Sequence, residues 1–308
     1  REFGYGSPDY TAIRNFLAYT FRHTTANNTT KPLYLTLFSN GHCDYRNKTT
    51  QIPVGVPIYE IWKDSPASKL YCNTLRNNQP DFTPEDPYYV RLTPGSHRMD
   101  VAVGRVTIHN VDEAEAFVSK VIKYETSSDQ GNWRGRASFI ADDRYAKDGL
   151  EKPDGLNHLY DTENELVCMP PRILVNDIFG AAYSNSFTGG GRKKPEMEKA
   201  IVDAFNSGSA LISWVGHGNP AVWSHESILS VPSTINKLTN LNRLAFVTTA
   251  TCDFSTYDDY AATVSGGVQL ITKPDGGAIA SLGTSRSVSP DLTAQAFYRS
   301  LFNVSCNS

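Results

Sequence analysis

Two apolar runs stand out in the pattern of hydrophobic and polar positions along the chain. Ala210–Val215 and Leu244–Thr249 are each about one strand long and rich in β-branched and aromatic residues, which is typical of strands buried in a parallel sheet. The first run ends at Gly216-His217-Gly218, and the second ends shortly before Cys252. Active sites of parallel α/β sheets form beyond the carboxyl ends of the strands. If the two strands are neighbours, His217 and Cys252 therefore face one crevice.

The rest of the chain alternates between apolar runs and helical periodicity. Further strands are predicted at Leu33–Phe38, Met99–Arg105, Ala137–Ala141, Arg172–Val175 and Ala278–Leu282. Helices are predicted after Ser7-Pro8, after Asn110, over Pro195–Asn206 and over about Asp291–Phe302. This alternation predicts an α/β fold with mainly parallel sheets flanked by helices.

We expect two lobes, residues 1–125 and 126–308, joined by the Ser/Asp/Gln/Gly segment before Trp133. Residues 46–97 hold many prolines and turn formers, which predicts irregular structure. Thr188–Lys194 is rich in glycine and basic residues but lacks the Gly-Lys-Ser/Thr ending of a phosphate-binding loop. We interpret it as a flexible loop.

The pair His217 and Cys252 fits nucleophilic catalysis. Cysteine attacks as its thiolate, and a nearby imidazole favours that form and later protonates the leaving amine. The backbone N–H groups of Gly218 and Cys252 could form an oxyanion hole. The structural alternative is a turn histidine and a small core cysteine, because free cysteine is commonly buried and inert.

Two other pairings compete with this dyad. His42 and Cys43 also follow a strand, but adjacent side chains on an extended segment point opposite ways. A disulfide from Cys43, with Cys72 as a candidate partner, explains that cysteine better. The chain has five cysteines, so four could pair and leave Cys252 free. His225 could also reach the crevice, but it lies farther from the strand terminus than His217.

Size and charge limit the possible functions. The 308 residues can bury a sizeable core, and the net charge of −3 gives no reason to expect a nucleic-acid partner. No apolar run approaches the roughly 20 residues of a membrane helix. The chain begins at Arg1 without methionine or a signal peptide, so we expect a processed or excised piece of a longer protein.

The residues around the dyad carry a resemblance to a known family. Trp214–Trp223, Leu244–Phe254 and Ser265–Ala280 resemble the gingipain family of cysteine peptidases, and among its branches they are most similar to the PorU-type sortase of the type IX secretion system. The resemblance extends over most of the chain and is specific around His217 and Cys252. It is loose between Gly41 and Arg98.

The resemblance implies a caspase-like fold and the activity of a cysteine endopeptidase or transpeptidase. The substrate would be the C-terminal sorting signal of secreted cargo, and the acyl group would pass to an amine on surface polysaccharide or to water. Other secretion-system subunits would be partners, at the extracellular face of a bacterial outer membrane. The alternatives are a gingipain-like secreted protease and a catalytically silent lobe that binds cargo.

The resemblance also implies further site residues. Gingipains place a glutamate at the end of an earlier strand to orient the histidine, and here Asp142 or Asp143 follows Ala137–Ala141. The alternative for these two is a solvated acid pair. Walls of the substrate pocket fall on Trp223, Thr284 and Ser285, each of which could equally be a packing residue.

The resemblance also has implications for cofactors and for substrate specificity. The chemistry requires no cofactor, but family members often bind calcium. Oxygen ligands for a structural calcium are available at Asp148, Glu151, Asp154, Asp258 and Asp259, without the spacing of an EF-hand. Arginine-specific members carry an aspartate in the pocket where this chain has Asn157 and His158. The resemblance therefore does not extend to arginine specificity.

Overall fold

The structure is a computed structural model. It describes residues 2–7, 9–26, 32–44, 46, 48, 55–62, 82–127, 131–145, 154–189, 191–259, 264–288 and 293–302. Contacts divide the chain into two compact units. The first contains Arg1–Val111 with Tyr257–Ala262, and the second contains Asp112–Thr256 with Thr263–Ser308.

The described residues form α-helices and short and long strands in both units. The helices are α1 Tyr10–Ala26, α2 Val111–Thr126, α3 Asp154–Leu166, α4 Pro195–Ser207, α5 Gly266–Thr272 and α6 Thr293–Phe302. The strands are β1 Tyr34–Phe38, β2 Glu60–Trp62, β3 Phe82–Pro84, β4 Ala102–Val106, β5 Arg136–Ala141, β6 Leu174–Phe179, β7 Ser186–Thr188, β8 Gly191–Lys193, β9 Leu211–Val215, β10 Gly218–Asn219, β11 Val222–Trp223, β12 Leu229–Ser230, β13 Ala245–Ala250 and β14 Ala278–Gly283. No helix among these combines the length and hydropathy needed to cross a bilayer.

The first unit is built on a parallel pair of strands. β1 and β4 pair in register, and Leu17 of α1 packs with Leu37 of β1 and Tyr89 in a buried apolar cluster. The guanidinium of Arg105 donates to both carboxylate oxygens of Asp86 at 2.9 and 2.7 Å. Both strands and the first helix occur where the sequence predicted them, within a few residues.

The second unit is a three-layer α/β/α structure. Its parallel sheet has the order β14–β13–β9–β5–β6. α4 presents Met197, Ile201 and Phe205 to one face because residues four apart share a side of a helix. Each fully buried side chain of this kind contributes about 1.5–3 kcal/mol. α3 and α6 cover the other face, where Tyr298 packs on Phe139. The predicted α/β fold with mainly parallel strands is confirmed.

The division between the units differs from the predicted one. The boundary was expected after Glu125, but the contacts divide the chain at Val111, so α2 belongs to the second unit. The physical reason is Lys120, whose buried ammonium donates to the carbonyls of Ile271, Lys273 and Gly276 at 2.9 to 3.0 Å. These bonds satisfy carbonyls in and after the last turn of α5 and fix α2 to α5 and to the segment that leads into β14.

Some elements were missed or shifted in the sequence interpretation. β6 begins later than the predicted strand Arg172–Val175, and α3 and α5 were not predicted. Thr188–Lys194 is not a flexible loop among its described residues. Its residues form part of the β7–β8 hairpin, in which Arg192 is buried. Lys194, the residue after β8, is buried as well.

A line of buried polar side chains crosses one face of the sheet. Ser213 of β9 donates to the Glu165 carboxylate of α3 at 2.5 Å, and Thr248 of β13 bonds to Ser213 at 2.9 Å and to the Tyr298 hydroxyl at 2.7 Å. Burial raises the pKa of Glu165 to about 8, although the Ser213 bond acts against it. The strands that carry the dyad are therefore linked by the Ser213–Thr248 bond, and the titratable group of Glu165 lies at one end of this line.

The first prediction concerns Glu165→Gln and stability against pH. The pKa of Glu165 is higher in the folded protein than in the unfolded chain, so the folded state binds this proton more tightly. The stability from that proton is fully present below the unfolded pKa and is lost as pH rises through about 8. We expect the wild-type free energy of unfolding to fall with rising pH by up to about 1.4 kcal/mol per unit from this group, and the variant to fall less steeply.

Urea unfolding between about pH 5 and pH 8 measures the two slopes. Glu163→Gln is the matched control, because Glu163 is exposed on the same helix. Equal slopes in wild type and Glu165→Gln would contradict the prediction.

Candidate active site

The strand ends of the five-stranded sheet bring the predicted dyad to one edge. Val215 of β9 pairs with Ala250 of β13 and with Ala141 of β5. His217 lies two residues beyond Val215, and Cys252 lies two residues beyond Ala250. The predicted neighbourhood of these two strands is confirmed, and both residues lie in the second unit.

The backbone of His217 is fixed on both sides. Its N–H donates to Oδ2 of Asp142 at 3.0 Å, and its carbonyl accepts from the N–H of Ser224 at 2.8 Å. These bonds fix the backbone position from which the imidazole side chain extends. Asp142 therefore contacts the histidine through the main chain.

The two glycines beside His217 serve close packing. A Cβ at Gly216 would lie 2.5 Å from the Trp214 ring and 2.6 Å from Cβ of Asp142, and a Cβ at Gly218 would lie 2.4 Å from Oγ1 of Thr251. Neither glycine has a φ in the left-handed region. Both positions require glycine because a Cβ would clash there, and not because the backbone is left-handed.

Asp142 is buried, and its two oxygens each accept a backbone N–H. Oδ1 accepts from Asp143 at 2.9 Å, and Oδ2 accepts from His217. Burial raises the pKa of Asp142 well above its ordinary value; the His217 bond opposes the shift, and the neighbouring charges of Glu226 and Asp143 add to it. Since both acids at the strand end are buried, the alternative of a solvated acid pair is wrong.

Asp143 faces a buried cluster of charges. Arg192 donates to its two carboxylate oxygens at 3.3 and 3.4 Å, and Lys194 lies 3.1 Å from Oδ2. Arg192 also forms an ion pair with Glu226, which the sequence interpretation missed. The only signals were the basic residues that end Thr188–Lys194 and the acid next to His225.

Three histidine rings lie together at the site. The ring of His217 is 4.9 Å from that of His158, edge to face at 90°, and 5.1 Å from that of His225. His158 is buried in α3, whereas His225 is exposed. His158 was noted in the sequence only as standing where related enzymes have an acid. Its contact with His217 follows from α3, which the sequence did not predict.

Cys252 is the better placed of the two free thiols among the described cysteines. It is half-buried, and its Sγ lies 3.5 Å from both the N and the O of Val288, whereas Cys168 is fully buried. Cys43 is disulfide-bonded, which excludes it as a nucleophile. Its suggested partner, Cys72, lies outside the described residues. The suggestion that the other four cysteines pair is wrong, because Cys168 is free.

The direction of the Gly218 N–H bears on the predicted oxyanion hole, which stays a prediction. Gly218 pairs with Trp223 across the β10–β11 hairpin, and the flanking bond from Ser224 N–H to the His217 carbonyl makes this a non-hydrogen-bonded pair. The N–H of Gly218 therefore points away from β11.

Of the residues predicted as pocket walls, Trp223 lies in the core, whereas Thr284 and Ser285 are half-buried beside the turn that carries Cys252. Trp223 is fully buried and stacks on Trp214 at 5.3 Å, so it is a core residue and not a wall. Thr284 donates to the carbonyl of Thr251 and accepts from the N–H of Ser255 at 3.0 Å, so it braces the turn that carries Cys252. The carbonyl of Ser285 accepts from Oγ1 of Thr256 at 3.0 Å in the same turn.

Most of the predicted calcium ligands fall outside the described side chains. Asp148 and Glu151 lie outside the described residues, and Asp154 is described only as the start of α3. Asp258 and Asp259 belong to the first unit. Among described residues, ligand atoms of Asp142, Asp143 and Glu226 lie within 4.8 Å of one another, but Arg192 and Lys194 already supply positive charge there. A structural calcium stays a prediction.

Comparison with known sequences gives a family match over the whole chain. The profile of Peptidase family C25 matches residues 1–308. Gingipain R2 and Gingipain R1 of Porphyromonas gingivalis are each 24% identical over 168 residues, or 54% of this chain. The matched segment accounts for 21% and 15% of those relatives.

Comparison with solved structures agrees on the fold. The crystal structure of the Arg specific cysteine proteinase gingipain R has a TM-score of 0.64 at 16% identity, covering 95% of this chain and 57% of that one. A complex of Porphyromonas gingivalis gingipain pro- and mature domains has a TM-score of 0.59 at 16% identity, covering 96% and 59%. The chain thus spans somewhat more than half the length of these structures. The gingipain-type, caspase-like fold is confirmed.

The second prediction is that Cys252 reacts fastest of the thiols with iodoacetamide near neutral pH. It is partly exposed and lies beyond the strand next to that of His217, whereas Cys168 is fully buried. Timed alkylation followed by peptide mapping measures each rate, and Cys252→Ser should remove the fast phase. Faster labelling of Cys168 would contradict the assignment of the nucleophile.

Proposed function

We propose, from the premise that the chain belongs to peptidase family C25, that this cysteine peptidase acts through Cys252 as nucleophile and His217 as general acid and base. The observation that supports it best is the in-register pairing of β9 with β13. It puts the two residues just beyond adjacent strand ends at the carboxyl edge of the sheet, where α/β active sites form.

The reaction follows from these positions. The Cys252 thiolate attacks the scissile carbonyl, and the developing oxyanion accepts bonds from backbone N–H groups, for which Gly218 and Cys252 are the candidates. The imidazolium of His217 then gives its proton to the leaving amine. The resulting acyl-enzyme is released when His217 takes a proton from water or from an acceptor amine that attacks the thioester.

Asp142 acts in this proposal by holding the main chain of His217. Its carboxyl is buried and accepts the N–H of His217, which fixes the backbone from which the catalytic imidazole extends. Asp143 supports this arrangement because its carboxylate accepts a hydrogen bond from Arg192.

For the substrate, we propose the C-terminal sorting signal of cargo of a type IX secretion system. The support is the sequence resemblance to the PorU-type sortase over Trp214–Trp223, Leu244–Phe254 and Ser265–Ala280. The acyl group would pass to an amine of surface polysaccharide, and other subunits of the secretion system would be partners. This places the protein at the extracellular surface of a bacterial outer membrane.

There are two alternatives to this proposal. One differs in the acceptor that releases the acyl-enzyme, and in the other no acyl-enzyme forms. A gingipain-like secreted protease would use water as its acceptor, and a silent lobe would bind cargo without cleaving it. The arginine specificity named for gingipain R is not transferred, because α3 carries the exposed Asn157 and the buried His158 in the corresponding region. Cys252 is half-buried and not fully enclosed, which favours a catalytic role over a catalytically silent lobe.

The third prediction separates His217 from His225. His217→Ala removes the general acid and base, so turnover of a cleavable peptide should fall about 10²–10⁴-fold while the fold is kept. His225→Ala should cost far less, because its ring is exposed and lies beside that of His217, farther from the end of β9. Steady-state kinetics with circular dichroism as the folding check measure both. The dyad assignment is wrong if the two variants show the reverse order.

The fourth prediction tests the acceptor. A peptide ending in a cargo sorting signal should give an amine adduct when a small primary amine is added, because an acyl-enzyme partitions between acceptors by their nucleophilicity and binding. Mass spectrometry of the products quantifies adduct against hydrolysed peptide, and Cys252→Ala should form neither. Hydrolysis alone at saturating amine would support the secreted-protease alternative.

A further inference from the structure

A single guanidinium lies between the two polypeptide segments that hold His217. Arg192 comes from β8 and is almost completely buried, with 3% of its side chain exposed. It pairs with Asp143 after β5 and with Glu226 in the turn after β11. It also donates to the carbonyl of Tyr145 at 2.6 Å.

On one side, the contacts lead from Arg192 to the N–H of His217. Arg192 holds the carboxylate of Asp143 through two N–H groups, and the backbone N–H of Asp143 donates to Oδ1 of Asp142. The other oxygen of Asp142 accepts the N–H of His217. The strand-end acids and the histidine backbone thus form one connected hydrogen-bonded path.

On the other side, the contacts lead from Arg192 to the carbonyl of His217. Arg192 holds Glu226, whose backbone N–H donates to Oγ of Ser224 at 3.1 Å. The N–H of Ser224 donates to the His217 carbonyl. Ser224 and Ser227 have φ of 59° and 55°, left-handed conformations that persist only where surrounding contacts impose them.

We propose that Arg192 is a positioning residue of the peptidase, which sets the place of the catalytic imidazole by holding both segments bonded to the His217 backbone. This rests on the proposed function, since it assigns Arg192 to the same dyad. Arg192 touches neither substrate nor the reacting atoms. Its role is to keep His217 in register with Cys252.

The chemistry of the side chain fits this role. A planar guanidinium can hold two carboxylates and a carbonyl in fixed directions, whereas an ammonium is a point charge without that geometry. Buried ion pairs contribute little net stability compared with apolar packing, so the arrangement is better explained by the geometry it imposes. Lys194, bonded to Asp143 and to the carbonyls of Gly180 and Tyr183, balances the remaining acidic charge.

The test uses the whole chain with Arg192→Met, the double variant R192M/E226Q, and Arg105→Met as the matched control. Arg105 is an equally buried guanidinium paired with Asp86, and its bonds lie within the first unit. We expect kcat of Arg192→Met to fall about 10²-fold, because a displacement of about 1 Å at a catalytic group has that effect, with KM little changed. Alkylation of Cys252 near neutral pH should slow as well. Arg105→Met should lose stability but keep kcat.

The double variant keeps the test decisive if Arg192→Met folds poorly. Glu226→Gln neutralises the carboxylate that has lost its cation, and Lys194 still pairs with Asp143, so thermal stability should recover while kcat stays low. The proposal is overturned if Arg192→Met has wild-type kcat, or if kcat of the double variant recovers together with its stability.

Failure of the proposed function gives a different result. Wild-type protein would then show no turnover that depends on Cys252. In that case the rate of Cys252 alkylation decides alone: an unchanged rate in the folded double variant overturns the role of Arg192, and a slowed rate supports it.

Discussion

The in-register parallel pairing of β5, β9 and β13 is the constraint on which the site depends. Parallel strands end at one edge, so the residue that follows each strand is placed by the sheet and not by its own loop. Asp142, His217 and Cys252 occupy these positions. The sheet therefore brings together residues that are far apart in the chain, and the segments between them add the supporting contacts of His158 and Arg192.

Placing acids at this edge creates an electrostatic problem that other elements solve. Asp142, Asp143 and Glu226 bring carboxyl oxygens within 4.8 Å of one another in a buried space, where like charges cannot all remain ionised without compensation. Burial raises the pKa of Asp142, with the charges of Glu226 and Asp143 adding to the shift, and these two acids are balanced by Arg192 and Lys194. The β7–β8 hairpin thereby becomes part of the active-site support.

The sequence allowed prediction of those parts of the site that local pattern encodes. Apolar runs located the strands, and the residues just beyond them gave His217, Cys252 and Asp142. Arg192 and His158 could not be found in this way, since nothing local distinguishes a buried arginine in a glycine-rich hairpin from a solvated one. The sequence left Trp223 open between a pocket wall and a packing residue for a related reason: an aromatic residue near a site packs inward or faces substrate according to contacts distant in sequence.

The two members of the dyad are supported from opposite sides of the sheet. His217 is fixed by Asp142 after β5, whereas the turn of Cys252 is fixed by Thr284, which follows β14 and donates to the carbonyl of Thr251. Each catalytic residue therefore depends on the strand next to its own, on the side away from its partner. Between the two strands themselves, the N–H of Gly216 donates to the carbonyl of Ala250 at 3.3 Å, so the ends that carry the dyad are also held to each other.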